Sequence, residues 1–183
     1  PLDLADGDGI DRLGQALFER WGRLDGLVIN AATLGVISPL AHVAPKEFDK
    51  LMALNVTASY RLLRSLDLLL RRSEAGRVVM VSSSSAQSAR AFWGPYAASK
   101  AALTAADKAL TRELRRCGVD VIDIRPPHTE TGLAGRPLAR AERDAGPHAV
   151  VDQVIDGVDD LLDVDGLDHV ARAQAPRGVL GPD

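Results

Sequence analysis

Tyr96 and Lys100 stand four residues apart in the stretch Y-A-A-S-K-A-A-L-T-A-A-D-K-A-L. Alanine, leucine and lysine make this stretch strongly helical, and residues four apart share one helix face. A phenol and an ammonium are thereby directed into one site. A free phenol has a pKa near 10 and is a poor base at neutral pH, and a nearby ammonium favours the phenolate and lowers that value. Tyr96 would then exchange a proton with an alcohol or a carbonyl close to the working pH. Ser83 lies thirteen residues before Tyr96, just past the apolar run 78–81. That run reads as a buried strand, so Ser83 falls at its C-terminal end, the edge where open α/β sheets bind ligands. Its hydroxyl would hold the same substrate oxygen. The trio suits a reaction in which a hydride reaches or leaves a carbon while the oxygen exchanges a proton, with a nicotinamide carrying the hydride. Residues 82–85 are all serine; spacing selects Ser83, with Ser82 and Ser84 open by a one-residue shift.

The elements that must position this trio follow from periodicity. Ile10, Leu13, Leu17 and Trp21 recur at helical spacing and predict an amphipathic helix. Residues 26–29 form a short apolar strand running into Asn30-Ala31-Ala32, and 33–44 form a loop containing Gly35 and Pro39. Pro45, well placed in a first turn, opens a helix reaching about Arg72. Asn55 lies inside it, where asparagine is unfavourable unless something compensates it; a plain surface position is the alternative. Residues 71–77 form a charged turn before the strand 78–81. Phe92 and Trp93 either line the substrate mouth or serve ordinary packing. The helix from Tyr96 runs to about Arg116 and stops at Cys117-Gly118. Residues 119–124 read as a partly wet strand entering R-P-P-H-T-E-T. Residues 149–162 form an amphipathic helix, and about 164–183 read as an irregular tail with no closing strand. The alternation of helix and strand predicts a parallel α/β sheet.

Composition narrows the function. With 183 residues, the chain allows one domain with a real core. Its net charge of −3 gives no basic footprint for nucleic acid. No run approaches a membrane span and no signal peptide opens the chain, so cytoplasm is the default compartment. A lone cysteine, Cys117, excludes an intrachain disulfide and reads as a small residue at a helix end. His128 and Glu130 invite a metal, but no third ligand stands at a suitable spacing, so no metal is expected and His128 reads as a loop residue at the cleft rim.

Ser83, Tyr96 and Lys100 resemble the S-(12 residues)-Y-x-x-x-K signature of short-chain dehydrogenases/reductases. Further landmarks fall in family order: Asp3-Leu4, Asn30-Ala31, Asn55 and, in the last loop, Pro126 and Thr131. The resemblance spans about residues 1–162. It implies a Rossmann-like, doubly wound parallel sheet and an NAD(P)-dependent oxidoreductase interconverting an alcohol and a carbonyl, with NAD and NADP both open. Tyr96 would be the general acid/base. Lys100 would lower the Tyr96 pKa and bind the nicotinamide ribose, Ser83 would hold the substrate oxygen, and Asn55 would hold a proton-relay water. Asp3 would reach the adenine amine, or else serve as an N-cap or loop carboxylate. Asn30, Ala31 and Ala32 would lie along the nicotinamide ribose, or Asn30 would simply end a strand. Pro126 and Thr131 would meet the carboxamide. Ala32 and Pro127 stand where the family has glycine. Residues 132–147 would be the lid over the substrate.

The resemblance also sets expectations about the whole. If Asp3-Leu4 ends the family's third strand, two strand–helix units of about 30 residues each precede it, and roughly 60 residues with the glycine-rich phosphate loop lie outside the sequence. No G-x-x-x-G-x-G occurs in residues 1–183. The chain thus reads as one incomplete Rossmann domain, inactive as it stands. Strand 26–29 would then lack its neighbour and form an open apolar edge. At full length the counterparts of helices 46–72 and 96–116 pair across a two-fold axis, predicting a homodimer or homotetramer. Leu62, Leu63, Leu66, Leu69 and Leu70 offer more apolar surface than one face needs. The competing reading is a non-catalytic scaffold or interaction protein built on the same fold.

Overall fold

A computed structural model describes residues 2–126 and 170–173. Helix α1 spans Gly7–Trp21. Asp6 caps it: the Gly9 amide donates to Asp6 Oδ1 at 2.9 Å. Gly22 stops it in the left-handed region at φ 71°, where glycine pays no steric cost, and its amide returns to the Phe18 carbonyl. Strand β1, Gly26–Ile29, is buried along its whole length, as its unbroken apolar sequence requires of a strand covered on both sides.

The long helix expected from Pro45 is a composite. Helix α2, Pro45–Met52, passes through a π-helical turn at Ala53–Thr57 into α3, Ala58–Arg71. Strand β2 is Arg77–Val81, α4 is Gly94–Leu114 and β3 is Asp120–Ile124. A single 3₁₀ turn, Arg115–Cys117, and Gly118 at φ 75° end α4. Strand β4 is Val170–Ala173.

Among the described residues the four strands are all parallel, in the order β3-β2-β1-β4. The register sets Leu27 beside Val78 and Val28 beside Val79, and β2 in turn sets Val78 beside Val121. This is a Rossmann-like α/β sheet. Its core gathers Ile10, Leu24, Leu27, Val78, Leu114 and Val119, each at most 2% exposed. Helix α1 packs on α3 with no room to spare, since a Cβ at Gly14 would stand 3.0 Å from the Ser65 carbonyl oxygen.

Three expectations change. Strand β1 is not an open edge: Gly26 to Ile29 pair with Val170 to Ala173. An uncovered parallel strand presents unpaired amides and carbonyls to any extended segment, and V-A-R-A takes the place. The tail is therefore not irregular at 170–173; four residues of mixed polarity are too short to announce a strand by pattern. The leucines of α3 are not surplus either. Leu62, Leu66, Leu69 and Leu70 are at most 2% exposed within this one chain, and Leu63 is half-buried against the same core. The lid expected at 132–147, the helix expected at 149–162 and the rest of the tail lie outside the described residues.

Candidate active site

The C-terminal ends of β1 and β2 and the first turn of α4 converge on Tyr96. Tyr96 is 5% exposed and Lys100, one turn on, is 3% exposed. Lys100 Nζ donates to the Val81 carbonyl at 2.8 Å and lies 5.9 Å from the centroid of the Tyr96 ring. Ser83 follows β2 in extended conformation. Its side chain hydrogen-bonds the Tyr96 phenol and also accepts from the Ser85 amide at 3.2 Å. Ser82 is instead tied into the sheet by its amide, which donates to the Ile124 carbonyl at 2.9 Å. Ser84 is exposed and opens a 3₁₀ turn.

Asn55 is fully buried in the π turn. Its Oδ1 accepts from the Thr33 amide at 2.8 Å, and its Nδ2 donates to the Thr33 carbonyl at 2.9 Å and to Ser99 Oγ at 3.0 Å. Ser99 Oγ in turn donates to the Tyr96 carbonyl at 2.7 Å. These bonds supply the compensation an interior asparagine needs. They also tie three segments together: the loop after β1, the α2–α3 rod and the first turn of α4. The Ser59 hydroxyl donates to the Asn55 carbonyl at 3.0 Å. Sequence reasoning missed Thr33 and Ser99. Thr33 acts through its backbone, which no residue type announces; Ser99 is one small polar residue beside the lysine.

The electrostatics depart from expectation. Burial pushes the Tyr96 phenol above its ordinary value, and the hydrogen bond from Ser83 pulls it back by less. The expected lowering by Lys100 is not among the causes. The ammonium donates to the Val81 carbonyl and lies against the Tyr96 ring. Lys100 itself is brought down to about 8 by burial, with the Asp123 carboxylate pulling it up. Asp123 also receives Arg125, at 2.7 and 2.9 Å. Asp107, on the same helix, is raised by burial first and then by Asp123.

Asn30, Ala31 and Ala32 leave β1 half-exposed at this same end of the sheet. Pro126 is half-buried two residues after β3. Asp3 stands apart from the cluster. It is exposed in the turn before α1, where the Ala5 amide donates to its Oδ1 at 2.9 Å; this is the loop-carboxylate arrangement. Pro127, His128, Glu130 and Thr131 lie outside the described residues. Among the described residues no three His, Cys, Asp or Glu side chains gather to hold a metal, and no helix is long and apolar enough to cross a membrane.

Residues 1–141 match the short chain dehydrogenase family. The uncharacterized oxidoreductase YciK of Escherichia coli K12 is 35% identical over 126 residues, which is 69% of this chain and 50% of that protein. An uncharacterized NAD-dependent oxidoreductase of Mycobacterium tuberculosis is 34% identical over 72% of this chain and 48% of its own length. Among solved structures, a short chain dehydrogenase of Shigella flexneri complexed with NADP aligns with a TM-score of 0.64 at 35% identity, over 68% of this chain and 53% of that one. The chain spans about half the length of the curated relatives it matches. With the family matched over most of its length and Ser83, Tyr96, Lys100 and Asn55 gathered at one end of a parallel sheet, the chain belongs to the short chain dehydrogenase family.

Proposed function

We propose that the protein is an NAD(P)-dependent oxidoreductase that interconverts an alcohol and a carbonyl, with Tyr96 as its proton-transferring residue. One observation carries the reading: the Tyr96 phenol hydrogen-bonds Ser83 while Lys100 is buried beneath the same ring. A phenol held above its usual pKa keeps its proton at neutral pH, the state needed to protonate an incoming carbonyl. Ser83 would hold the substrate oxygen beside it. Lys100, largely charged below about pH 8, would steady the oxygen's developing charge through the phenol. Asn55 would keep the Thr33 loop and the first turn of α4 in register, and its role in a proton relay belongs to the same proposal.

The donor set fits the ribose end of a nicotinamide nucleotide. Among the described residues Lys100 Nζ makes one hydrogen bond, to Val81, which leaves two N–H groups for hydroxyls. Ser82 Oγ is buried with no partner among the described residues. Asn30, Ala31 and Ala32 would flank the ribose; Pro126 and Thr131 would complete the carboxamide side and Asp3 the adenine side. When bound, the nicotinamide gives or takes the hydride. Relatives of both NAD and NADP type leave either nucleotide as the cofactor here.

The test is Tyr96→Phe in the full-length protein, scored on a panel of alcohols and ketones. Turnover should fall by at least about a hundredfold, the usual scale of a lost general acid, while NADH or NADPH still binds. Undiminished turnover would sink the assignment.

A further inference from the structure

Eight large apolar side chains are exposed among the described residues, and four of them fall on two neighbouring loops. Val36, Ile37 and Leu40 are 47%, 53% and 64% exposed on the loop after β1; Phe92 is 55% exposed just before α4. The loops are stitched together. The Ser38 amide donates to the Phe92 carbonyl at 3.2 Å, and a Cβ on Gly94 would stand 3.0 Å from Leu40 Cδ1. Gly94 is two residues from Tyr96.

The apolar surface continues inward to the phenol. Leu34 packs with Tyr96 and Leu51, and the Trp93 ring meets the Tyr96 ring edge-on at 5.9 Å. Phe92 holds φ at 70°, a left-handed conformation that a bulky residue adopts only at a cost. That turn sends its carbonyl to the other loop while its ring stays in solvent. The two loops are also nearly free of charge. Residues 31–44 contain no Asp, Glu, Lys or Arg, and residues 82–99 contain only Arg90. Arg90 lies over the Trp93 ring at 5.4 Å.

We infer that Ile37, Leu40 and Phe92 form a rim that seats an extended apolar group of the substrate, whose oxygen is held at Tyr96. This names the substrate class and rests on the oxidoreductase reading above. A rim whose exposed side chains Ile37, Leu40 and Phe92 are all apolar, continuous with the catalytic phenol, suits an aliphatic or aromatic alcohol or ketone. Ile37, Leu40 and Phe92 have no side-chain donor or cation of their own, so the hydroxyls of a sugar or the charge of a phosphate ester or a carboxylate would gain nothing from this rim. Continuity with Tyr96 is what favours a substrate tail over a partner protein or a second copy of the chain.

The experiment uses the full-length protein, NADH and NADPH, and methyl ketones from 2-butanone to 2-decanone. Binding is followed by quenching of tryptophan fluorescence and turnover by cofactor absorbance. We expect kcat/KM to rise about two- to fourfold per methylene while the tail gains apolar contact. Leu40→Ser and Phe92→Gly should flatten that rise. Glycine fits the left-handed backbone at 92, so a flattened rise with unchanged thermal stability separates specificity from folding. Turnover that is independent of chain length, or best with short polar ketones, would overturn the proposal while leaving the oxidoreductase reading intact. The same holds if Leu40→Ser dissociates an oligomer without changing length dependence, since a second copy would then cover the rim. Length-dependent binding without any turnover would overturn the oxidoreductase reading and leave an apolar ligand site standing.

Discussion

Lys100 shows how one residue can serve a site and burden the fold. It is 3% exposed, and its pKa is brought from 10.5 to about 8, which corresponds to roughly 3 kcal/mol against the charged form. The folded protein releases this proton near pH 8, whereas an unfolded lysine holds it to about 10.4. Between those values the unfolded state binds more protons, so stability rises with pH across the window, and the penalty is present in full below it. Tyr96 acts in the opposite sense higher up. Its folded pKa is raised, so the unfolded chain ionises first and stability falls above about pH 10. Lys100→Met lacks the first of these two slopes. Between about pH 7 and about pH 10, denaturation free energies should therefore move by about 2–3 kcal/mol in favour of the wild type relative to the variant. Parallel pH profiles for the two proteins would mean that Lys100 is hydrated, and would remove the burial that the Tyr96–Lys100 pairing depends on.

At the scale of elements, the α2–α3 rod gives up α-helical continuity to set Asn55. The π turn at Ala53–Thr57 places the amide side chain against both backbone groups of Thr33. Asn55→Ala would leave those groups and Ser99 without this partner. The cost should be about 2–3 kcal/mol in chemical denaturation, within the range for leaving buried polar groups unpaired. The loop carrying Leu34 should loosen from Tyr96 as well. A loss under about 0.5 kcal/mol would show that water replaces the asparagine freely. Strands β1 and β2 and helices α1 and α4 were legible in the sequence because each carries an unbroken apolar run or a clear helical repeat. Tyr96, Lys100 and Ser83 were legible by spacing. The π turn was not, because it depends on a tertiary contact with a backbone 22 residues away in sequence. Strand β4 was not, because its pairing is set by the open flank of β1 and not by its own four residues. The direction of the Tyr96 shift was misread for a related reason. Spacing brings an ammonium near a ring, but burial of the phenol outweighs it there.

On the scale of the whole molecule, two predictions concern what the chain joins. With the α3 leucines buried in the chain's own core, the case for a homodimer or homotetramer rests on what remains outside: Tyr60 and Leu68 of α3, 61% and 56% exposed, and the exposed alanines at 98, 101 and 105 of α4. Two helices with such faces pack closely. Light scattering at micromolar concentration should give a dimer or tetramer for the full-length protein, and Leu68→Lys should shift it towards monomer; a wild-type monomer would refute the pairing. The second prediction concerns residues 1–183 expressed alone. With β4 on its flank, β1 gives no reason of its own for aggregation. Cofactor binding is a separate matter, because a dinucleotide's pyrophosphate needs clustered amides at a helix N-terminus. The described helices do not offer them. Helix α1 begins with Asp6 as its cap and Asp8 in its first turn, while α2 and α4 each have proline in the first turn, which removes a donor, and α2 adds Glu47. No G-x-x-x-G-x-G occurs anywhere in these residues. Titration of the 1–183 polypeptide with NADH and NADPH, followed by fluorescence, should therefore give dissociation constants above about 1 mM and no turnover, even with Tyr96 and Lys100 in place. Saturable micromolar binding by a cooperatively folded 1–183 polypeptide would mean that its own residues supply the phosphate site, and would overturn this prediction.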